Sequence, residues 1–377
     1  MRKICIITGT RANYGRLKPV LNAIIAHNDL ELQLIVTGMH LSSTCGHTID
    51  EIKADGYTID YQVDMQLDET GSMAKSLGHA IIGITDAFET LQPDIILILG
   101  DRGEELAAAI AGAHMNIPVA HMHGGEVTGT IDESIRHAIT KFAHIHFAAT
   151  QNSYDRIKKL GENPDFIFNI GSCGLDTILN RSYLTKQTLF EKYNLTLHLP
   201  LILVLQHPVT TQKEQAAFQM SQTMQAVTAV NAQVIVIYPN SDSGSSQMID
   251  VINKYKDDVH IYKNLPFEDY LNFLKHANVL VGNSSSAIME APSYGLPSID
   301  IGIRQDGREC TCNVIKAGHD KTEILEKLTL CLYDKKLINS IKQCINPYGD
   351  GNTSRKAAEI LAALNINHNL IQKQITY

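Results

Sequence analysis

Short, continuously apolar runs alternate with helix-period segments along nearly the whole chain. A first series of runs predicts strands at Lys3–Thr8, Leu32–Thr37, Asp94–Leu99, Pro118–Met122, His144–Ala149 and Phe166–Ile170. A second series predicts strands at Leu201–Gln206, Gln233–Tyr238, Val259–Tyr262, Val279–Val281 and Pro297–Ile301. Runs such as Ile95-Ile-Leu-Ile-Leu99 and Leu201-Ile-Leu-Val-Leu205 show no apolar/polar alternation. Strands of that kind are expected to be covered by helices on both faces, which favours parallel sheets. Between them, apolar residues at spacings of three and four predict helices such as Arg16–His27, Gly103–His114, Asp132–Phe142 and Phe267–His276. The alternation predicts an α/β protein built from two doubly wound, Rossmann-like domains in succession. The break is expected after Gly171, in the stretch Ser172–Arg181, which gives a first domain over 1–171 and a second over 172–353.

Composition agrees with this division and narrows the partners. A chain of 377 residues is too long for one ordinary core, and 44% hydrophobic with 19% charged residues is normal for a globular protein. No run approaches 18 apolar residues, so no membrane span is expected. The N-terminal apolar stretch is too short for a signal peptide and reads as a first strand. The seven cysteines are odd in number and scattered, which predicts reduced thiols and a cytoplasmic protein. A net charge of −8 argues against nucleic acid but leaves room for a phosphorylated small molecule, which local arginines and helix N-termini bind.

The polar clusters of the sequence follow the predicted strands. Thr8-Gly-Thr-Arg11, Thr37-Gly-Met-His40, Gly100-Asp-Arg102 and His123-Gly-Gly-Glu126 do so in the first half. His207-Pro-Val-Thr-Thr211, Tyr238-Pro-Asn240, Gly282-Asn-Ser-Ser-Ser286 and Gly302-Ile-Arg304 do so in the second. Ligands of open α/β sheets bind at the carboxyl ends of strands, so the two loaded edges predict one interdomain cleft. Ser284 and Ser285, opening a predicted helix, point to an anion site, with Glu290 beyond them as a ribose acceptor or a solvated charge. Arg11 and Arg304 match a diphosphate bidentately, and His207 is a further candidate donor.

Most of the acid–base candidates crowd into His121–His137. Asp101, Glu126 and Asp132 supply carboxylates for proton removal and delivery, with Asp132 alternatively an N-cap. His121-x-His123 and His144-x-His146 have strand spacing, and Cys310-x-Cys312 is the one close cysteine pair. None reaches a complete metal-ligand set, so no metal is expected. The Gly9–Gly15 spacing fits neither the dinucleotide fingerprint nor the P-loop, so no nicotinamide cofactor is implied.

Taken together, Thr8–Arg11, Gly100–Arg102, His121–Lys141, Gln206–Thr211, Gly282–Ser285 and Ile303–Gln305 resemble the signatures of hydrolysing UDP-N-acetylglucosamine 2-epimerases, the sialic-acid-pathway branch of their family. The resemblance runs from the first strand to Tyr348-Gly-Asp-Gly-Asn352. It implies a glycosyltransferase-B-like fold, a UDP-sugar between the domains, no dissociable cofactor, and a C-terminal helical segment (354–377) that crosses back to the first domain. The activity implied is conversion of UDP-GlcNAc and water to ManNAc and UDP by elimination and hydration. The same reaction on UDP-2,4-diacetamido-2,4,6-trideoxyglucose and a non-hydrolysing 2-epimerase are the alternatives. By the same resemblance Asp101 and Asp132 are catalytic, and Arg11, His207, Ser284, Ser285, Glu290 and Arg304 bind the nucleotide. Tyr262 lies near the segment that contacts uracil. Many relatives carry Glu where this chain has His123, which leaves Glu126 and His123 as alternatives for the main base. A homodimer or dimer of dimers is the default assembly.

Overall fold

The computed structural model describes residues 1–42, 48–65, 72–127, 132–240 and 242–377. They form two compact units, Met1–Asn180 with Tyr348–Tyr377, and Arg181–Pro347.

The first unit holds a seven-stranded parallel sheet. Its strands are β1 (Arg2–Thr8), β2 (Leu30–Thr37), β3 (Tyr61–Val63), β4 (Ile95–Leu99), β5 (Val119–Met122), β6 (Ile145–Ala148) and β7 (Ile167–Asn169), in spatial order β3-β2-β1-β4-β5-β6-β7. Ile4, Ile6, Leu34, Leu97, Ala120 and Phe147 face one apolar cluster with Leu17, Val20 and Leu361. The alternate residues Cys5, Ile7, Ile35, Ile96, Ile98 and Val119 face another with Ile84, Phe88 and Ala107. Both faces are therefore dry, which is why the strand sequences read as unbroken apolar runs.

The second unit repeats the design with six parallel strands. These are β8 (Leu201–Leu205), β9 (Gln233–Ile237), β10 (His260–Tyr262), β11 (Val279–Gly282), β12 (Ser298–Ile301) and β13 (Val314–Ala317), in order β10-β9-β8-β11-β12-β13. In each sheet the winding direction reverses beside the first strand, between β1 and β4 and between β8 and β11. Among the described residues no helix is long and apolar enough to cross a membrane.

Two differences from the sequence reading have physical causes, one local and one tertiary. The first helix is Arg11–Ile25 and not Arg16–His27, because Thr10 caps it: its hydroxyl accepts the Asn13 N–H at 3.2 Å. Arg11 is consequently the first helical residue and not a loop residue. The cysteines are also not all thiols. Cys312 and Cys344 form a disulfide across 32 positions, with Cα atoms 5.9 Å apart. Tertiary folding brings the segment after β12 to the end of the Lys335–Ile341 helix, and no sequence spacing announces it. Cys310 does not join Cys312; it is free, as are the buried Cys5, Cys173 and Cys331. Cys45 lies outside the described residues.

The chain leaves the first unit after Asn180 and re-enters it at Tyr348. Buried Asp176 fastens this return, accepting the N–H groups of Thr353 (3.1 Å) and Ser354 (2.6 Å) at the start of the Thr353–Ala363 helix. Asp176→Ala strands two buried donors and should lower stability by about 1–3 kcal/mol. Urea denaturation checks this, and a midpoint equal to that of the parent would show that the amides find other partners.

Candidate active site

The carboxyl edge of the first sheet gathers its charge through two unusual turns. Gly100, with φ +97°, ends β4 and presents Asp101; its N–H donates to the Met122 carbonyl at 3.1 Å. Its own carbonyl accepts from His121 Nε2 at 2.7 Å, which fixes the protonated nitrogen of that ring. His123, directly after β5, takes φ +63°, a left-handed conformation that costs a side chain about 1–2 kcal/mol. The His123 N–H is held by the Phe147 carbonyl at 3.0 Å, and Nδ1 meets Glu126 Oε1 at 2.7 Å.

Arg136 joins these pieces. It sits in the helix Asp132–Phe142 with only 5% of its side chain exposed, donating to Asp101 Oδ2 and, at 3.3 Å, to Glu126 Oε2. The cluster is thus Asp101, Arg136, Glu126 and His123 in series. Asp132 opens the same helix one turn before Arg136, on the same side, and its charge reaches Arg102. Ile131, at the position before it, is outside the described residues, together with Thr128, Gly129 and Thr130.

Charge states follow from these contacts. Burial works against a charged His123 ring, but the Glu126 carboxylate and the neighbouring Cys173 thiol outweigh it and raise its pKa to about 9. His123 is therefore a proton donor at neutral pH. Burial has the opposite net result for His121, pushed down to about 3, and for His144, down to about 4. The four histidines bind four different partners: His121 the Gly100 carbonyl, His123 Glu126, His144 the Val119 N–H at 3.1 Å, and His146 Glu162 at 3.2 Å. Among the described residues no group of three or more His, Cys, Asp or Glu is placed to hold a metal ion.

Arg11 stands at the carboxyl end of β1, beside the same switch point. Its side chain is 73% exposed and its Nε pairs with Glu51 at 3.0 Å.

The second unit builds a different edge around Asn283. Gly282 has φ +139°, and a Cβ there would lie 2.1 Å from the Leu205 carbonyl oxygen, so β11 approaches β8 as only glycine permits. Asn283 then accepts the His207 N–H at 2.7 Å and donates to the His207 carbonyl at 2.8 Å. The Asn283 carbonyl accepts from Arg304 Nη1 (3.3 Å) and Gln305 Nε2 (2.8 Å). His207 Nδ1 accepts the Asn240 N–H at 3.0 Å, so the neutral ring carries its proton on Nε2. Burial, reinforced by the Arg304 charge, holds the His207 pKa down to about 4, making it a neutral donor.

Ser284 and Ser285 follow directly, and Ser284 Oγ accepts the Ser286 N–H at 3.3 Å. The helix they open is a single turn, Ser286–Met289, continued after Glu290 by the 3₁₀ turn Ala291–Tyr294. A single turn carries little helix dipole, so anion affinity would rest on individual amides, hydroxyls and the Arg304 charge. Glu290 faces Tyr270 and Tyr294 electrostatically. Tyr262 is not part of this gathering. It ends the edge strand β10, roughly 10 Å across the sheet from β8, with its ring edge-on to Tyr193 at 5.5 Å.

Sequence reasoning missed Arg136, Asn283 and Gln305. Arg136 carried a usable signal, standing four residues after Asp132 and so on the same helical face. Asn283 sat inside a quoted motif, but its role depends on both of its amide atoms meeting one distant backbone.

A family model for UDP-N-acetylglucosamine 2-epimerase matches residues 22–362. The chain is 40% identical over 381 residues, all of both proteins, to the UDP-N,N'-diacetylbacillosamine 2-epimerase (hydrolyzing) of Legionella pneumophila. This chain belongs to the UDP-N-acetylglucosamine 2-epimerase family. It is also 39% identical over 87% of each chain to a UDP-N-acetylglucosamine 2-epimerase of Neisseria meningitidis. The family fold is seen directly in the crystal structure of a Neisseria meningitidis UDP-GlcNAc 2-epimerase bound to UDP-GlcNAc. That structure has a TM-score of 0.81 and 19% identity, covering 95% of this chain and 99% of that one.

In this member of the 2-epimerase family the His123 pair has a definite pH signature. A raised pKa means that the pair's stabilisation is complete below the ring's ordinary value and is lost as pH rises through about 9. Ring-proton NMR should show His123 still charged at pH 7.5, with Glu126→Gln lowering its titration. A midpoint at or below 6.5 in the parent chain would contradict the assigned pairing.

Proposed function

We propose that this chain is a hydrolysing 2-epimerase that converts a UDP-linked 2-acetamido sugar and water to the free 2-epimer and UDP. The observation that carries this reading is the largely buried series Asp101–Arg136–Glu126–His123. It holds carboxylates and a protonated imidazole within one hydrogen-bonded group. Such a group takes a proton at one atom and returns one at another, as inversion of a C–H centre requires.

The C2 proton of such a sugar is weakly acidic, so breaking the C1–O bond leads and proton loss follows. The bonding pair of C1–O leaves with the diphosphate. His207 Nε2–H, Arg304 and the Ser284–Ser285 turn are the groups assigned to the departing charge. Asp101, Asp132 and Glu126 are the proton acceptors assigned to C2. Elimination leaves the 2-acetamidoglycal; protonation at C2 from the opposite face and addition of water at C1 complete the reaction. His123, charged at neutral pH, is assigned as the returning donor, which divides the roles of Glu126 and His123 between acceptor and donor. Arg11 is assigned to the diphosphate as well, with Glu51 giving way.

UDP-GlcNAc, giving ManNAc for sialic acid synthesis, is the first donor to test. The end-to-end similarity to a Legionella pneumophila diacetylbacillosamine enzyme specifically favours a second, the UDP-2,4-diacetamido-2,4,6-trideoxy sugar. Incubating the chain with each donor alone, and measuring UDP and free sugar, separates them. The reading expects UDP release without an acceptor from one donor. Accumulation of the UDP-linked 2-epimer would make the enzyme non-hydrolysing, and release only with an acceptor would make it a transferase. Asp101→Asn should lower kcat by about 10²–10⁴-fold with UDP affinity kept; near-normal turnover would remove Asp101 from the mechanism.

A further inference from the structure

The acid–base helix Asp132–Phe142 ends under the C-terminal tail. The last carbonyls of any helix lack intrahelical partners, and a cation there also meets the negative end of the helix dipole. Lys373 supplies that cation from more than 230 positions away in sequence. Its Nζ donates to the carbonyls of Ala143 (2.6 Å), Lys141 (2.9 Å) and Thr140 (3.4 Å). Its charge is answered by Glu162 at 2.5 Å, a carboxylate with 2% of its side chain exposed that also takes Lys141 at 2.6 Å and His146 at 3.2 Å. The tail is fixed beyond this contact as well. The Thr376 N–H donates to the Gly161 carbonyl at 3.2 Å, its hydroxyl donates to the Glu162 carbonyl at 3.3 Å, and the Tyr377 ring covers Gly161.

From this geometry we propose that Lys373 is a positioning residue for the acid–base site, holding the Asp132–Phe142 helix so that Arg136 stays registered between Asp101 and Glu126. Arg136 is six residues from the helix end, roughly 9 Å along a stiff rod. A shift of the end is therefore transmitted to the guanidinium with little loss. A misplacement of about 1 Å in a catalytic group costs up to about 10²-fold in rate. Among the described residues the hydrogen bonds and ion pairs of 373–377 run to Thr140–Ala143 and Gly161–Glu162, so the effect expected is on turnover. The catalytic part of this inference rests on the function proposed above.

Lys373→Met removes the charge and the donors while keeping the stem. Its kcat is expected to fall at least about tenfold, with KM and UDP affinity within about twofold of the parent and with Lys373→Arg restoring most of the rate. Hydrogen exchange of the 132–142 amides should quicken at least about tenfold in the same variant. Should Lys373→Met fail to fold, Lys373→Gln, which keeps donors without the charge, is expected to give smaller changes in the same direction. A folded variant with parental kcat overturns the proposal, and so does unchanged exchange in that helix. If the parent chain turns over neither UDP-sugar, the proposed function fails by itself, and the exchange measurement still decides whether the tail holds the helix.

Discussion

A buried guanidinium has to be answered by negative charge, and the first unit is arranged around that requirement. Leaving one member of such a pair alone typically costs about 3–5 kcal/mol, so Arg136 binds its carboxylates as firmly as they bind it. Asp101 arrives on the turn after β4, and Glu126 arrives on the loop after β5. The one guanidinium thereby ties Asp101 to Glu126. The left-handed backbone of His123 is held in the same way: its strain is offset by a main-chain bond to Phe147 and a charged bond to Glu126. Strain sustained by such contacts at a sheet's carboxyl edge is a common mark of a functional site.

The second unit solves a different problem with neutral groups. Asn283 uses both of its side-chain amide atoms on the backbone of His207, while its carbonyl takes Arg304 and Gln305. These bonds orient a neutral histidine and an arginine on one edge, which suits an anion that must bind and later leave. One unit therefore concentrates titratable side chains and the other concentrates neutral and cationic donors, and the function proposed for this member of the 2-epimerase family gives that division a chemical meaning.

Much of the fold was legible because burial on both sheet faces writes itself into unbroken apolar runs. The eleven strands read from the sequence all appear, most with ends moved by one or two residues. The two edge strands β3 and β13 were missed. Each has a single neighbour, and the polar Gln62 and Lys316 break the apolar pattern that central strands must keep. The start of the first helix was hidden because a capping threonine is visible in sequence only once the strand before it is known to stop at Thr8. The site was legible as far as local clustering reaches: Asp101, His123 and Glu126 converge, as do His207, Ser284 and Arg304. What the sequence withheld depends on distant contacts, namely Asn283 meeting His207, Cys312 meeting Cys344, and Lys373 meeting the end of the Asp132–Phe142 helix.

In the proposed mechanism the carboxylates around Arg136 take the C2 proton, and His123, in exchange with solvent, returns one to the opposite face. Running the reaction in D₂O and reading C2 of the released sugar by NMR tests it directly. One deuterium at C2 in the inverted configuration is expected in every molecule of free sugar formed. Release of free sugar that keeps its original hydrogen at C2 would contradict it, because the proton delivered to C2 would then not have come from a solvent-exchanged donor.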